Sequence, residues 1–257
     1  MRKRVKKRKT TPSNLKRVLV IPDTHHPFVD KKAWELLLVV AKDLKPDTIV
    51  TMGDFADFYS VSSHSKDAGR LDRFEDEVES VNKALDQLDS LGAKEKIFIA
   101  GNHEDRLQRY LNDKAPELNN LVSVPQLFNL RKRGWRHIPY KQSVNLGKLN
   151  LTHDVGSAGK NAIFQALSTF QHNVVQGHTH RIAMFVEGNA TGTAHVGASF
   201  GWLGDKSKVD YMHQVKVNRD WAHGFGIAHM ESNGNVHIQP IVIVDYKCVV
   251  NGKLYKV

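Results

Sequence analysis

Cysteine is almost absent from this chain of 257 residues, whose one cysteine is Cys248. A single thiol cannot form an intrachain disulfide, so we expect a reducing compartment, the cytoplasm. The sequence also lacks an apolar run of 18 residues, which a membrane-spanning helix would need. No apolar signal-peptide core follows the basic N-terminus. These absences argue against a disulfide-stabilised secreted protein and against a membrane protein.

Basic residues are unevenly distributed along the chain. Residues 1–17 contain nine Lys or Arg and no acid, and since the whole chain carries +10, the remainder carries a net charge of only +1. We expect residues 1–14 to form a basic disordered arm and residues 15–257 to form one folded domain. Such an arm is able to bind DNA or RNA electrostatically, and it equally suits a terminus that only aids solubility.

Polar side chains follow five short apolar segments that have the length and composition of buried strands. The central segment, 97–100, leads through Gly101 into Asn102 and His103. The other four lead into acidic and imidazole side chains, namely Asp23 and His25, Asp54 and Asp57, His153, and His178 and His180. One histidine after a strand usually has a structural role, but ligand sites in α/β folds collect at the carboxyl ends of strands. We therefore expect the five ends to form one site.

Apolar strands alternate with helical patterns in the first two thirds of the chain, and short β-type runs dominate the rest. This order predicts an α/β fold. The expected helices run from a cap at Asp30 through Ala41 and over 70–91, 103–111 and 159–171. A hairpin turn is expected at 146–149, and the expected later strands are 183–186, 191–196, 224–229 and 237–244.

The donor side chains at the strand ends are carboxylates, an amide and imidazoles, with no thiolate. Seven of them are candidate metal ligands: Asp23, His25, Asp54, Asn102, His153, His178 and His180. Such donors suit Mn, Fe, Zn or Ni. Because seven ligands are too many for one tetrahedral zinc ion, we expect two divalent ions that share a bridging carboxylate. We expect both ions to be Mn²⁺, with Fe, Zn, Ni or Mg as alternatives.

The motifs D-x-H, G-D-x-x-D, G-N-H-E, H and G-H-x-H, in this order from Asp23 to His180, resemble those of the calcineurin-like metallophosphoesterases. The resemblance implies two packed mixed β-sheets flanked by helices, a four-layer α/β/β/α sandwich. It also implies a ligand set for each ion: Asp23, His25 and His180 for the first, Asn102, His153 and His178 for the second, and Asp54 as the bridge.

The resemblance implies hydrolysis of phosphate esters by a metal-activated hydroxide. His103 would then protonate the leaving alkoxide or stabilise its charge, and Asp57 would orient that imidazole. Asp57 also suits a plain loop-capping carboxylate. We expect substrate contacts from His26, Arg106 and Arg181, each of which also suits a supporting or surface role.

Residues within and beside the motifs bear on the class of substrate. Phe58-Tyr59 stands where the related serine/threonine protein phosphatases carry Arg-Gly, and Glu104 stands where the repair nucleases carry Asp. Glu104 either supports the site or is an ordinary acid in the first turn of a helix. Aromatic residues near the motifs either stack on a base or belong to the core: Phe55, Phe58, Tyr59 and Trp202.

We therefore expect nucleotides, for example (deoxy)nucleoside monophosphates, or nucleic acid as the substrate. The compact form resembles bacterial and phage members of the family. Two alternatives stay open, a serine/threonine-type protein phosphatase and a non-catalytic nucleic-acid-binding module on the same fold.

Overall fold

The computed structural model describes residues 14–63, 73–188, 190, 192–208 and 220–257. The predicted basic arm lies outside these ranges except for Asn14. Within them, no helix is long and apolar enough to cross a membrane.

Thirteen strands and five α-helices lie in the described ranges. The strands are β1 (Lys16–Ile21), β2 (Thr48–Thr51), β3 (Glu95–Ile99), β4 (Trp135–Ile138), β5 (Ser143–Leu146), β6 (Leu149–Thr152), β7 (Asn173–Gln176), β8 (Ile182–Gly188), β9 (Ala194–Phe200), β10 (Gly224–Met230), β11 (Val236–Val242), β12 (Lys247–Val250) and β13 (Lys253–Lys256). The helices are α1 (Lys31–Leu44), α2 (Phe74–Asp89), α3 (Glu104–Lys114), α4 (Val124–Leu127) and α5 (Ala162–Phe170).

Two mixed sheets form the centre of the molecule. The first has the order β11-β10-β1-β2-β3-β4, in which β1 to β4 are parallel and β10 runs antiparallel to both of its neighbours. The second has the order β5-β6-β7-β9-β8, with parallel central pairs and antiparallel outer pairs. A separate hairpin pairs β12 with β13.

Three apolar clusters lie between successive layers of the fold. Along β1, Val18 and Val20 pack into the cluster between the sheets, whereas Leu19 and Ile21 pack into the cluster beneath α1 and α2. This alternation follows from the two-residue period of a strand. A third cluster, which includes Leu167, joins α5 to the second sheet. The predicted four-layer α/β/β/α sandwich is confirmed.

Local signals located most of the helices. Asp30 caps α1, because its side chain accepts the backbone N–H groups of Lys32 and Ala33. The helix predicted over 70–91 is observed from Phe74 to Asp89, and the hairpin at 146–149 joins β5 to β6. The strand predicted at 191–196 is shifted, since β9 runs from Ala194 to Phe200.

The sequence patterns did not predict β4 or the β12–β13 hairpin. Each of these strands has only four residues, and buried positions alternate regularly with exposed ones only in Lys247–Val250. Four residues are too few for a two-residue period to stand out from chance. Their pairing depends instead on neighbours that are distant in the chain or across a tight turn.

The parallel strands bring the motif residues to one edge of the sandwich. β1, β2 and β3 end at the same edge of the first sheet, and the parallel strands β6 and β7 end beside each other in the second. Isolated bridges then join the following loops, including Asp23 with Trp202 and His26 with Ala56. The loops that carry the five motifs therefore meet.

Replacing Ile97 by alanine should destabilise the fold through the cluster between the sheets. Ile97 is fully buried there, so we expect the free energy of unfolding to fall by about 2–5 kcal/mol. Val249→Ala is the control, because Val249 is 57% exposed and its loss should change stability by less than about 0.5 kcal/mol. Chemical denaturation checks both variants, and equal effects would contradict the position of this core.

Candidate metal centre

Four buried side chains form the first ligand group, namely Asp23, His25, Asp54 and His180. One ligand atom from each lies within 4.8 Å of the others. The Nε2 atom of His180 lies 3.1 Å from His25 Nε2 and 3.1 Å from Asp23 Oδ2. Since divalent ions bind such atoms at about 2.0–2.2 Å, one ion between these atoms fits the group.

The second ligand group shares Asp54 with the first. Ligand atoms of Asp54, His153 and His178 lie within 4.8 Å of one another. His153 Nε2 is 3.4 Å from Asp54 Oδ2 and 2.9 Å from Asn102 Oδ1. The structure therefore brings the seven predicted ligands together as two groups that meet at one carboxylate. Their coordination of metal stays a prediction.

The Nδ1 atoms of His25 and His153 each have a hydrogen-bond acceptor, as the second ring nitrogen of a metal-binding histidine almost always has. His25 Nδ1 lies 3.0 Å from Asp57 Oδ2, and His153 Nδ1 lies 2.8 Å from the carbonyl oxygen of Met52. These partners favour the tautomer with hydrogen on Nδ1, which leaves Nε2 free to bind an ion. Both Nε2 atoms face the ligand groups.

The electrostatics of the site also fit cations. Burial lowers the pKa of His153, but the Asp54 carboxylate outweighs burial and raises that pKa to about 10. The Asp54 carboxylate therefore attracts positive charge, and a bound divalent ion would replace the proton on His153. For His180, burial dominates and lowers the pKa to about 4, so its nitrogen lone pair is available. The donor set therefore fits two divalent ions, and it does not select among metals.

Two glycines of the motifs allow the turns to approach one another. A Cβ atom on Gly101 would lie 2.1 Å from Asp54 Oδ1, and one on Gly53 would lie 2.4 Å from His153 Nδ1. Any side chain at these positions would displace a ligand. The glycines before Asp54 and Asn102 therefore belong to the site for a steric reason.

Four of the ligands have left-handed backbone conformations. The φ angles are 52° at His25, 48° at Asp54, 65° at His178 and 54° at His180. Such values are uncommon outside glycine and cost on the order of 1–3 kcal/mol each. They turn the chain sharply just after each strand, so that side chains from separate loops point to one place.

Glu104 holds two of these turns together. The side chain is buried, and its two oxygens accept the backbone N–H groups of Gly101, Asp54 and Ala56 at 2.7–2.9 Å. Burial, together with the nearby Asp54 carboxylate, raises its pKa to about 7. Of the two roles considered from the sequence, the contacts support the one in which Glu104 positions the site.

His103 lies beside both ligand groups. Its Nδ1 is 2.9 Å from the carbonyl oxygen of Asp57 and 3.3 Å from the Asp57 carboxylate, and its Nε2 is 3.8 Å from Asp54 Oδ2. Burial lowers the pKa of His103, but Asp54 and Asp57 outweigh it and raise the pKa above its usual value. Asp57 contacts His25 as well, a role that the sequence did not indicate.

Arg106 adjoins this pair. Its Nη1 donates to the backbone and side-chain oxygens of Asp57 at 2.9 and 3.2 Å, and its Nη2 lies 3.0 Å from His103 Nε2. The last contact is a hydrogen bond only when His103 Nε2 carries no proton. The structure thus places Arg106 against the predicted proton donor, and its contact with substrate stays a prediction.

The other two predicted substrate contacts differ in position. His26 is buried between the rings of Trp34 and Phe55, and burial lowers its pKa to about 3. This position in the core does not support contact with substrate. Arg181 follows His180 and donates to the carbonyl oxygens of Ala158 and Thr179. Its role stays a prediction.

Three of the four aromatic residues considered from the sequence are buried in the interior of the protein. Phe55, Phe58 and Trp202 are fully buried, so of the two roles considered from the sequence, their burial supports a place in the interior. Trp202 instead stacks on His180, with ring centres 4.9 Å apart, and Trp221 meets the same imidazole edge-on at 4.1 Å. The sequence did not indicate this support, because Trp221 lies in no motif.

Replacing Glu104 by glutamine should weaken the metal centre. An amide NH₂ would face one of the backbone N–H groups that the carboxylate now accepts, so the turn that carries Asp54 would loosen. We expect affinity for Mn²⁺ to fall by about 10- to 100-fold, as measured by isothermal titration calorimetry. Glu117→Gln is the control, because Glu117 is exposed. Equal affinity in the two variants would contradict the positioning role.

The family model of the calcineurin-like phosphoesterases matches residues 16–229. The chain is 26% identical over 266 residues to the Gene 54 proteins of Mycobacterium phages L5 and D29, which covers 94% of this chain and 99% of each relative.

Similar solved structures include vacuolar protein sorting 29 from Cryptosporidium parvum, with a TM-score of 0.48, 16% identity and coverage of 93% of this chain and 94% of that one. Another is YfcE, a phosphoesterase from E. coli, with a TM-score of 0.39, 15% identity and coverage of 87% and 98%. Because the family model spans most of the chain, the protein belongs to the calcineurin-like phosphoesterase family.

Proposed function

We propose that this protein is a phosphoesterase that uses two divalent metal ions to hydrolyse nucleotides, such as (deoxy)nucleoside monophosphates, or nucleic acid. The observation that carries the proposal is the position of Asp54, whose carboxylate belongs to both ligand groups. Two bound ions would polarise the phosphate and activate water for in-line attack. The chain supplies the ligands, their orientation and a proton donor.

His103 is the proposed proton donor to the leaving oxygen. Asp57 accepts from Nδ1 and so directs Nε2 toward Asp54, where the reacting phosphate would lie. To donate, Nε2 must carry a proton, and the guanidinium of Arg106 must then leave that nitrogen. An incoming phosphate offers Arg106 another partner, which gives its predicted substrate contact a definite form.

The nucleotide preference rests on sequence features rather than on the metal centre. Phe58 and Tyr59 replace the Arg-Gly pair of related protein phosphatases, and the predicted basic arm suits nucleic acid. Neither feature distinguishes a monoester from a diester. The first experiment must therefore separate these classes of substrate.

The reaction class is tested with 4-nitrophenyl phosphate and bis(4-nitrophenyl) phosphate in parallel. We expect release of nitrophenol that EDTA abolishes and that Mn²⁺, Ni²⁺, Zn²⁺ or Mg²⁺ restores.

The Asp54→Asn variant should lose turnover and bind metal more weakly, since it removes the shared carboxylate. Activity in this variant equal to that of the wild type would contradict the shared site. Metal-independent nucleic-acid binding without hydrolysis would favour the non-catalytic alternative, and preference for phosphopeptides would favour the protein phosphatase.

The role of His103 is tested by the dependence of the rate on the leaving group. His103→Asn should keep both metal ions, which titration calorimetry verifies. Its rate on an alkyl ester such as a nucleoside monophosphate should fall by about 10²- to 10⁴-fold. The loss on 4-nitrophenyl phosphate should be much smaller, because 4-nitrophenolate leaves readily without a proton. Equal losses on both substrates would refute proton donation.

A further inference from the structure

A groove of ≈ 360 Å³ lies beside the proposed proton donor. Its lining residues come from two segments, the stretch after residue 60 and helix α3: Val61, Ser62, Ser63, Arg106, Arg109, Tyr110, Asp113 and Lys114. The volume is in the range of small-molecule sites. Arg106 belongs both to this groove and to the contact with His103, so the groove begins one side chain away from the imidazole.

One face of α3 connects the site to the groove. Residues 103, 106, 110 and 114 follow at intervals of three or four, which places them on the same side of a helix. With a rise of about 1.5 Å per residue, Tyr110 lies about 10 Å along the axis from His103. Tyr110 is 42% exposed and lines the groove. Helix α3 therefore holds an exposed aromatic ring at a fixed distance from His103.

The charges of the groove are largely paired. Arg109 lies 3.1 Å from Asp105, Lys114 lies 2.9 Å from Asp113, and Arg106 is held by Asp57. Three cations face three carboxylates, so among the described residues these charges cancel and attract a chain of phosphates only weakly. An aromatic ring with polar neighbours suits a nucleobase, which is uncharged and has two apolar faces.

We propose that this groove binds the nucleoside part of the substrate, with the base stacked on Tyr110. The inference rests on the proposed function, because His103 protonates the leaving oxygen and the leaving group must then lie on its side of the site. The groove adjoins that side. A nucleoside 5′-phosphate fits this description either as a free nucleotide or as the end of a strand.

The test compares substrates that differ only in the leaving group. For Tyr110→Ala, kcat/KM on deoxyadenosine 5′-monophosphate should fall by about 5- to 100-fold, the range of a lost base–aromatic stack. On glycerol 2-phosphate, which has no ring, it should not change. Tyr110→Phe should restore the nucleotide rate, since the ring remains. Phe164→Ala is the control, because Phe164 is an exposed aromatic on a helix of the other sheet; it should change neither rate.

The two sources of the ligand are separated with a 5′-phosphorylated oligonucleotide. An equal effect of Tyr110→Ala on this substrate would show that the groove holds the terminal nucleoside of a strand as well. If Lys114→Ala lowers the nucleotide rate and Tyr110→Ala does not, charge rather than stacking recognises the substrate, and the proposal is wrong. Equal losses on the nucleotide and on glycerol 2-phosphate would also overturn it.

Binding distinguishes a failure of this inference from a failure of the proposed function. If no phosphoester is hydrolysed, calorimetric titration of the Mn²⁺-loaded protein with deoxyadenosine 5′-monophosphate still tests the groove. Affinity that falls by about 5- to 100-fold in Tyr110→Ala supports the subsite without turnover. Equal affinity in the variant and the wild type, or no binding to the wild type, overturns the subsite.

Discussion

The Asp54 carboxylate is buried at the point where both sheets end, and the surrounding structure must keep it charged. Burial raises its pKa, but the imidazoles of His103 and His153 outweigh burial and hold the pKa well below its usual range. The backbone N–H of His103 also donates to Asp54 Oδ1 at 2.8 Å. A buried anion is costly unless partners compensate it. The edge of the sandwich therefore favours cations even before any substrate arrives.

Buried carboxylates from two helices hold the loops that carry this site. Glu104 on α3 binds the turns after β2 and β3, as described above. Glu77 on α2 is fully buried and accepts the backbone N–H groups of Tyr59 and Ser60. The same loop then forms one wall of the groove lined by Tyr110. Two helix carboxylates, Glu104 from a motif and Glu77 from outside the motifs, thus position the predicted metal ligands and the proposed nucleoside site through backbone hydrogen bonds.

Buried aromatic residues near the site pack against the protein, and an exposed one is free to contact substrate. Trp202 and Trp221 pack on His180 and restrict the movement of this predicted metal ligand. Phe55 and Phe58 belong to the cluster beneath α1 and α2. In the proposed nucleoside site, the base would stack on Tyr110, whose ring is exposed on α3. The four motif-proximal aromatics considered from the sequence did not include it, because the distance to a motif along the chain does not predict exposure.

The sequence alone determined the strand-end motifs, the α/β class and, through resemblance, the family and the seven candidate ligands. These features depend on residues that are close together in the chain, where hydrophobic periodicity and turn residues can be recognised in the sequence. Only the tertiary structure decided which side chains meet, since His178 and Asp23 are 155 residues apart and yet share a hydrogen bond. It also decided that His26 is buried and that Asp57 serves His25 as well as His103. Such contacts follow from the packing of two sheets, which brings together loops that no local pattern relates.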